Sequence, residues 1–314
     1  MCPSDRTTLR ATGQSLRCGL DHEFAVLDEI PRFVSGSTYA DAFGAQWRKY
    51  RRTQLDSYSG TTITRDRVQR CFGDELWNSL RNTQILECGC GAGRFTEVLL
   101  DRQASVTSVD LSDAVEANAR NFPVSTRHRI AQASILSLPF EPRQFGVVFC
   151  LGVIQHTPCP EETISCLYEQ VKPGGWLVID HYTWNLSYFT KTAPLFRMLL
   201  KRMRPSASLR ITEMLVDTFL PIHKTVGTAC FGQKLLSRLS PVAAYYREHP
   251  QLRDDLQREW ALLDTHDSLT DWYKWFRSLK QIRSVLECLG LEQIYCTYAG
   301  NGVEARGVRP VHNG

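Results

Sequence analysis

The sequence predicts an α/β protein: a doubly wound, mostly parallel sheet with a helical insert before its last two strands. Three observations predict it. Short β-type runs at 85–88, 105–109, 127–132, 146–151 and 176–179 alternate with helical stretches, the pattern of βαβ units. A glycine-spaced turn, Gly89-Cys90-Gly91-Ala92-Gly93, sits where the first run passes into a helix. A closing pair of runs, 292–298 and 303–308, flanks Gly300-Asn301-Gly302, which has the composition of a hairpin turn.

The elements divide the chain into four parts. Residues 1–35 are short, turn-rich and Cys/His-bearing, a knuckle ending in Ile30-Pro31-Arg32-Phe33-Val34. Residues 36–82 are helical, with Trp47, Tyr50 and Leu55 among polar neighbours. The core comprises 83–184 and 286–314, and residues 185–285 form the helical insert. Within the insert, Asp264-Thr265-His266-Asp267 crowds ionisable groups ahead of an aromatic helix, Trp272-Tyr273-Lys274-Trp275-Phe276, which suggests a substrate loop; the alternative is Asp267 or Ser268 as an ordinary N-cap.

Composition narrows the function. A chain of 314 residues with 43% hydrophobic and 22% charged residues can bury a large core, which excludes disorder as its working state. No run of about 18 apolar residues occurs and the first six residues are polar, so the expectation is a cytoplasmic protein without a transmembrane segment. The 11 cysteines are odd in number and mostly isolated in apolar runs, as reduced thiols are. A net charge of +4 selects no partner by itself.

The glycine turn carries the first chemical signal. Backbone without Cβ atoms can pass close beneath a nucleoside, and the free N–H groups of the following helix face the ligand. Asp110, closing the next β-run, stands where an acidic side chain takes ribose hydroxyls. The alternative is a tight turn beside a solvated aspartate.

Together with Val109-Asp110-Leu111-Ser112, Leu138-Pro139-Phe140, Gly152-Val153-Ile154-Gln155-His156 and Lys172-Pro173-Gly174-Gly175, the segment Glu87-x-Gly89-x-Gly91-x-Gly93 resembles the ordered motifs of class I S-adenosyl-L-methionine-dependent methyltransferases, nearest to the ubiquinone-biosynthesis-like (type 11) branch. The resemblance covers about residues 83–182 and implies a Rossmann-like fold and S-adenosyl-L-methionine as cofactor. It places Gly89, Gly91 and Gly93 along the methionine and ribose, Glu87 near the amino group and Asp110 on the ribose diol. It puts Leu111 on the adenine face, Ser134 and Ile135 at the adenine edge, and Leu151 in the same cofactor pocket. Two departures stand out. Ser134 replaces a common aspartate at the adenine edge, and Gly146 replaces one at the start of the fourth strand.

Acceptor chemistry belongs at the C-terminal ends of the strands, where open α/β sheets bind ligands. His156, after the fourth run, is the leading proton acceptor, with His181 and Tyr182 after the fifth as assistants; packing roles are the alternative for all three. Trp47 and Tyr50 are candidate substrate contacts or anchors of a docking helix, and His266 and Asp267 candidate substrate contacts in the insert. Between Asp180 and Glu213 no acidic residue occurs, while Lys191, Arg197, Lys201, Arg202, Arg204 and Arg210 interleave with apolar residues. Such an apolar-basic helix fits a lid over the substrate, a peripheral membrane contact or a solvated helix.

Cys2-x2-Asp5-x12-Cys18-x3-His22 resembles the zinc ribbon that precedes the catalytic domain of some bacterial rRNA methyltransferases, which have cysteine at the position of Asp5. Carboxylate is an acceptable zinc ligand, so the resemblance implies a Cys2, Asp5, Cys18, His22 zinc site, with a metal-free degenerate turn as the alternative. The resulting expectation is a methyltransferase acting on a small molecule, such as a sugar, lipid or natural-product intermediate. The alternatives are an RNA methyltransferase, for which no asparagine-proline-proline-aromatic motif follows the fourth run, and a cofactor-binding protein without catalysis.

Overall fold

The computed structural model describes residues 1–184, 191–226 and 229–311. The first six residues of the expected insert, 185–190, lie outside the described residues. The N-terminal knuckle is a four-stranded antiparallel sheet of β1 (Arg10–Thr12), β2 (Ser15–Arg17), β3 (Glu23–Leu27) and β4 (Ile30–Pro31) in sequential order. Three helices follow: α1 (Asp41–Lys49), α2 (Asp56–Ser59) and α3 (Ile63–Asn78). Gly73 breaks the regularity of α3 at φ 73°, and a Cβ there would fall 2.6 Å from an Arg306 guanidinium nitrogen, so glycine both permits the bend and makes room for the arginine.

The core alternates as predicted. β5 (Gln84–Cys88), α4 (Arg94–Asp101), β6 (Ser105–Asp110), α5 (Ala114–Asn121), β7 (His128–Gln132), β8 (Phe145–Cys150), α6 (Pro160–Gln170) and β9 (Val171–Tyr182) follow one another in the chain. The insert holds α7 (Ala193–Leu200), α8 (Pro205–Thr225), α9 (Cys230–Leu239) and α10 (Asp254–Thr270), and α11 (Leu279–Cys288) leads into the hairpin β10 (Glu292–Ala299) and β11 (Gly302–Val308). The seven-stranded sheet has the order β10-β11-β9-β8-β5-β6-β7. β5 to β9 are mutually parallel, and β11 runs antiparallel to both its neighbours. The chain steps from β5 outward to β7, then returns to β8 on the other side of β5, which opens a crevice at the C-terminal ends of β5 and β8.

Strand periodicity divides the core between the two faces. Leu86, Val148, Leu177 and Ile179 join α6 and α11 residues on one face, while Ile85, Val147, Phe149 and Val178 join Val68, Phe72, Leu76 and Phe95 on the other. β8 is buried at every position, as a central parallel strand must be.

Three expectations need correction. Residues 264–269 are not a loop and Asp267 is no N-cap: they are the last turns of α10, because buried Leu256, Trp260, Leu263, His266 and Thr270 recur at helical spacing. The aromatic run 272–276 is not a helix, because its backbone donors serve the core instead. Trp275 N–H donates to the Gln155 carbonyl and Arg277 N–H to that of Tyr182. The 285/286 boundary cuts through α11, whose Ile282 and Leu286 are buried in the sheet's own core.

Phe149 is buried between the rings of Phe72 at 5.5 Å and Phe95 at 6.0 Å, at the contact of α3 and α4 with β8. Phe149→Ala should lower the unfolding free energy by about 3–5 kcal/mol, read from denaturant midpoints, because these elements cannot collapse into the space left.

Candidate active site

The strand ends, α1, α3, α10 and the β10–β11 turn enclose one cavity of about 900 Å³. That is near the upper end of the roughly 300–1,000 Å³ of ordinary ligand pockets. Its floor is the glycine turn. Gly89 and Gly93 have φ of 78° and 93°, and a Cβ on either would stand 2.2 Å from Val153 or 2.8 Å from Phe122, so neither position accepts a side chain. The indole of Trp47 lies over Gly91.

Asp110 joins the turn to the end of β6. Its Oδ2 accepts from Gly91 N–H at 2.9 Å, and its Oδ1 accepts from Ser112 N–H at 2.8 Å and Ser112 Oγ at 2.7 Å. Oδ1 is thereby filled, and Oδ2 keeps one lone pair for a further donor. Burial pushes its carboxyl upward against these bonds. Leu111, Ile135 and Leu151 line the same end of the cavity.

Arg94 is a cavity residue that sequence reasoning missed. It donates through Nε to Thr64 at 3.0 Å and through Nη1 to Gln54 at 3.1 Å, and lies over the rings of Phe95 and Trp260. Among the described residues it has no ion-pair partner, and burial, with Arg67 adding to it, lowers it to about 10. A cation at the first position of a helix is already disfavoured by the helix dipole. An arginine directly after a glycine turn was therefore the available signal of this buried cation.

His156, Tyr182, Asp264 and Asp267 line the same cavity, and Asp264 shares the Gln54 amide with Arg94. His156 Nδ1 donates to the Tyr273 carbonyl at 3.1 Å and lies 3.3 Å from Asp271 Oδ2; in the neutral ring this leaves Nε2 as the acceptor. Asp271 is buried, which raises its carboxyl, but Lys274 Nζ at 3.0 Å, His156 and the Arg197 guanidinium outweigh burial and hold it below the usual range. Burial raises both Asp264 and Asp267; Tyr245 and Gln54 bond the former, Gln46 the latter.

Several predicted residues sit elsewhere. Glu87 lies beneath the glycine turn, accepting from Thr96 at 2.5 Å and Ser108 at 3.0 Å, because its strand position points it into the sheet. Ser134 caps a short turn by accepting from Leu136 N–H. His181 is buried in β9, bonded to the Tyr182 carbonyl. Tyr50 donates to Glu213, and His266 pairs with Thr212 between α10 and α8. The apolar-basic α7 does not line the cavity either. Its Arg197 reaches Asp271 from behind, while Leu195, Met198 and Leu199 face solvent.

The knuckle gathers Cys2, Asp5, Cys18 and His22, with all four ligand atoms within 4.8 Å of one another. Cys18 Sγ lies 3.0 Å from Asp5 Oδ2 and 3.4 Å from His22 Nδ1, and Cys2 Sγ lies 3.8 Å from the same nitrogen. Tetrahedral zinc with bonds of about 2.0–2.3 Å separates its ligand atoms by roughly this much, so the donor set fits the ion.

A parallel sheet with one reversed strand, a glycine turn and an acidic residue ending the next strand define a nucleotide-cofactor domain. Residues 86–179 match the family described as methyltransferase domain. The chain is 37% identical over 101 residues to the ubiquinone biosynthesis O-methyltransferase of Pseudomonas entomophila, covering 31% of this chain and 43% of that protein. The enzyme of the same name from Nitrosomonas europaea is 32% identical over 107 residues, 33% and 46% of the two chains. The chain thus spans less than half the length of these curated relatives. A solved structure of a SAM-dependent methyltransferase from Methanosarcina mazei is 14% identical, with 74% of this chain and 94% of that chain covered at a TM-score of 0.42. No helix among the described residues is long and apolar enough to cross a membrane.

Glu87 yields a pH prediction. Burial pushes its carboxyl from 4.5 up to about 7 against the lowering by Thr96 and Ser108. Between those two values the folded protein holds a proton that the unfolded chain has released, so this group's contribution to stability falls as pH rises through that window. Thermal unfolding at pH 5 and pH 7 should show a smaller loss of Tm in Glu87→Gln than in the wild type; equal losses would contradict the assignment.

Proposed function

We propose that the chain is an S-adenosyl-L-methionine-dependent methyltransferase that methylates a hydroxyl of a small polar molecule. One observation carries the reading: the glycine turn, Asp110, His156, Tyr182 and Asp267 line a single cavity of about 900 Å³, large enough for a cofactor and an acceptor together. The matched family and the printed names of the ubiquinone biosynthesis O-methyltransferases support it.

The cofactor, when bound, supplies an electrophilic methyl group on sulfur. The chain's own residues bind and align. The free lone pair of Asp110 Oδ2 would take a ribose hydroxyl, Leu111 and Ile135 would flank the base, and Arg94 would take the carboxylate, adding a direct ion pair to the longer-range pull of Asp264 and Asp56. Trp47 over Gly91 shields that half from water. On the acceptor side, Asp264, Asp267 and Glu248 offer hydrogen-bond acceptors suited to a hydroxylated molecule. His156 Nε2 takes the acceptor's proton, and Asp271, 3.3 Å from Nδ1, stabilises the imidazolium that forms. Tyr182, set edge-on to His156 at 5.3 Å, fixes the ring. By this reading α10 is the specificity element, and 83–184 with α11, β10 and β11 the catalytic core.

Calorimetric titration with S-adenosyl-L-methionine should give one site per chain. Asp110→Ala should lose about 1.5–3 kcal/mol of that affinity, the scale of a charged hydrogen bond, and Arg94→Gln should also weaken it. His156→Ala should keep the affinity and lose about 10²–10⁴ in turnover with labelled donor and a metabolite extract, the size of a lost general base. Full turnover in His156→Ala would exclude His156 as the proton acceptor.

A further inference from the structure

The N-terminal knuckle is fastened to the cofactor side of the sheet. Arg6 donates through Nη1 and Nη2 to the carbonyls of Leu138 and Phe140, at 2.9 and 3.0 Å, and the Ser137 hydroxyl donates to the Pro3 carbonyl at 2.9 Å. These contacts hold the segment that begins at Ile135, a wall of the cavity. Where the knuckle leaves, Phe33 N–H donates to the Gln132 carbonyl at 2.8 Å, and Ile30 packs against Cys90 inside the glycine turn. The knuckle therefore touches both the floor and the base-side wall of the proposed cofactor site.

Its own interior is too small to hold this shape. β1 is exposed along its length, and β2 and β3 have no fully buried residue. The buried side chains at its centre are Cys2 and Cys18, which form no disulfide, beside Asp5 and His22. Small elements without a core are held by a covalent or metal cross-link.

We propose that a zinc ion bound by Cys2, Asp5, Cys18 and His22 locks the knuckle, and that the locked knuckle, through Arg6 and Ile30, positions Ile135 and the glycine turn so that metal occupancy sets cofactor affinity. Two thiolates, an imidazole and a carboxylate suit zinc over harder divalent ions. Arg6 is a positioning residue: its guanidinium touches neither metal nor cofactor and transmits the lock to residues 138–140. The coupling rests on the methyltransferase reading, whereas the metal site and its grip on the wall do not.

The full chain, purified without added metal and again after exposure to a zinc chelator, is measured three ways. Zinc content should be near one per chain before chelation and near zero after, and Cys18→Ser should lack it. Amide exchange at 133–140 should accelerate on stripping and slow again when zinc chloride is restored. Affinity for S-adenosyl-L-methionine should fall about tenfold on stripping, within the usual range of coupling between sites, and return with zinc. Arg6→Ala should keep its zinc yet bind the cofactor as weakly as stripped protein does, with or without metal. Failure to bind zinc, or exchange at 133–140 that ignores the metal, overturns the lock. Cofactor affinity equal in loaded and stripped protein overturns the coupling alone, and no cofactor binding in either form removes the coupling together with the methyltransferase reading.

Discussion

The hydrogen bond from the Gly91 amide to Asp110 Oδ2 is the interaction on which the site depends. It ties the turn after β5 to the end of β6, fixes the direction in which the amides at the start of α4 point, and uses the carboxylate that would meet a ribose. Glycine is required around it for steric reasons, since Val153 and Phe122 occupy the space of any side chain at 89 and 93. Once the turn is pinned, the cavity can open only toward the C-terminal ends of β5 and β8. Trp47, Arg94 and the walls of α3 and α10 then close around that opening.

A second centre balances the first. Asp271, just beyond α10, receives Arg197 from α7, Lys274 from the following segment and His156 from the end of β8. Three elements distant in sequence meet at one buried carboxylate, so the insert is braced against the core at His156. Breaking one arm of such a group leaves a buried charge uncompensated, which costs more than the pair itself contributes. The basic residues of the insert therefore include at least one, Arg197, with a partner inside the fold rather than in solution.

Much of this was legible in the sequence where backbone periodicity dictates structure. Six of the seven sheet strands lie within two residues of the predicted runs; β9 starts five residues earlier and ends three later, because Lys172-Pro173-Gly174-Gly175 reads as a turn yet is part of the strand. The glycine turn and Asp110 were legible because their chemistry is backbone chemistry. Cys2, Asp5, Cys18 and His22 were singled out by the zinc-ribbon resemblance, and the structure gathers their side chains. Side-chain direction was not legible. Glu87, His181 and His266 occupy promising positions, but strand alternation and helix phase turn them into the interior, and the sequence around 264–276 looks equally polar and aromatic whether coiled or helical. Arg94 and Asp271 were missed for the same reason: each matters through partners tens or hundreds of residues away.

In the proposed function one cavity holds both cofactor and acceptor, with His156 between them. A crystal structure with S-adenosylhomocysteine bound tests it most directly. The expected result is a ribose hydroxyl on Asp110 Oδ2, the carboxylate on Arg94, and His156 Nε2 facing the unfilled part of the cavity. A ligand seated away from the glycine turn, or one that fills the cavity so that nothing can reach His156 Nε2, would contradict it.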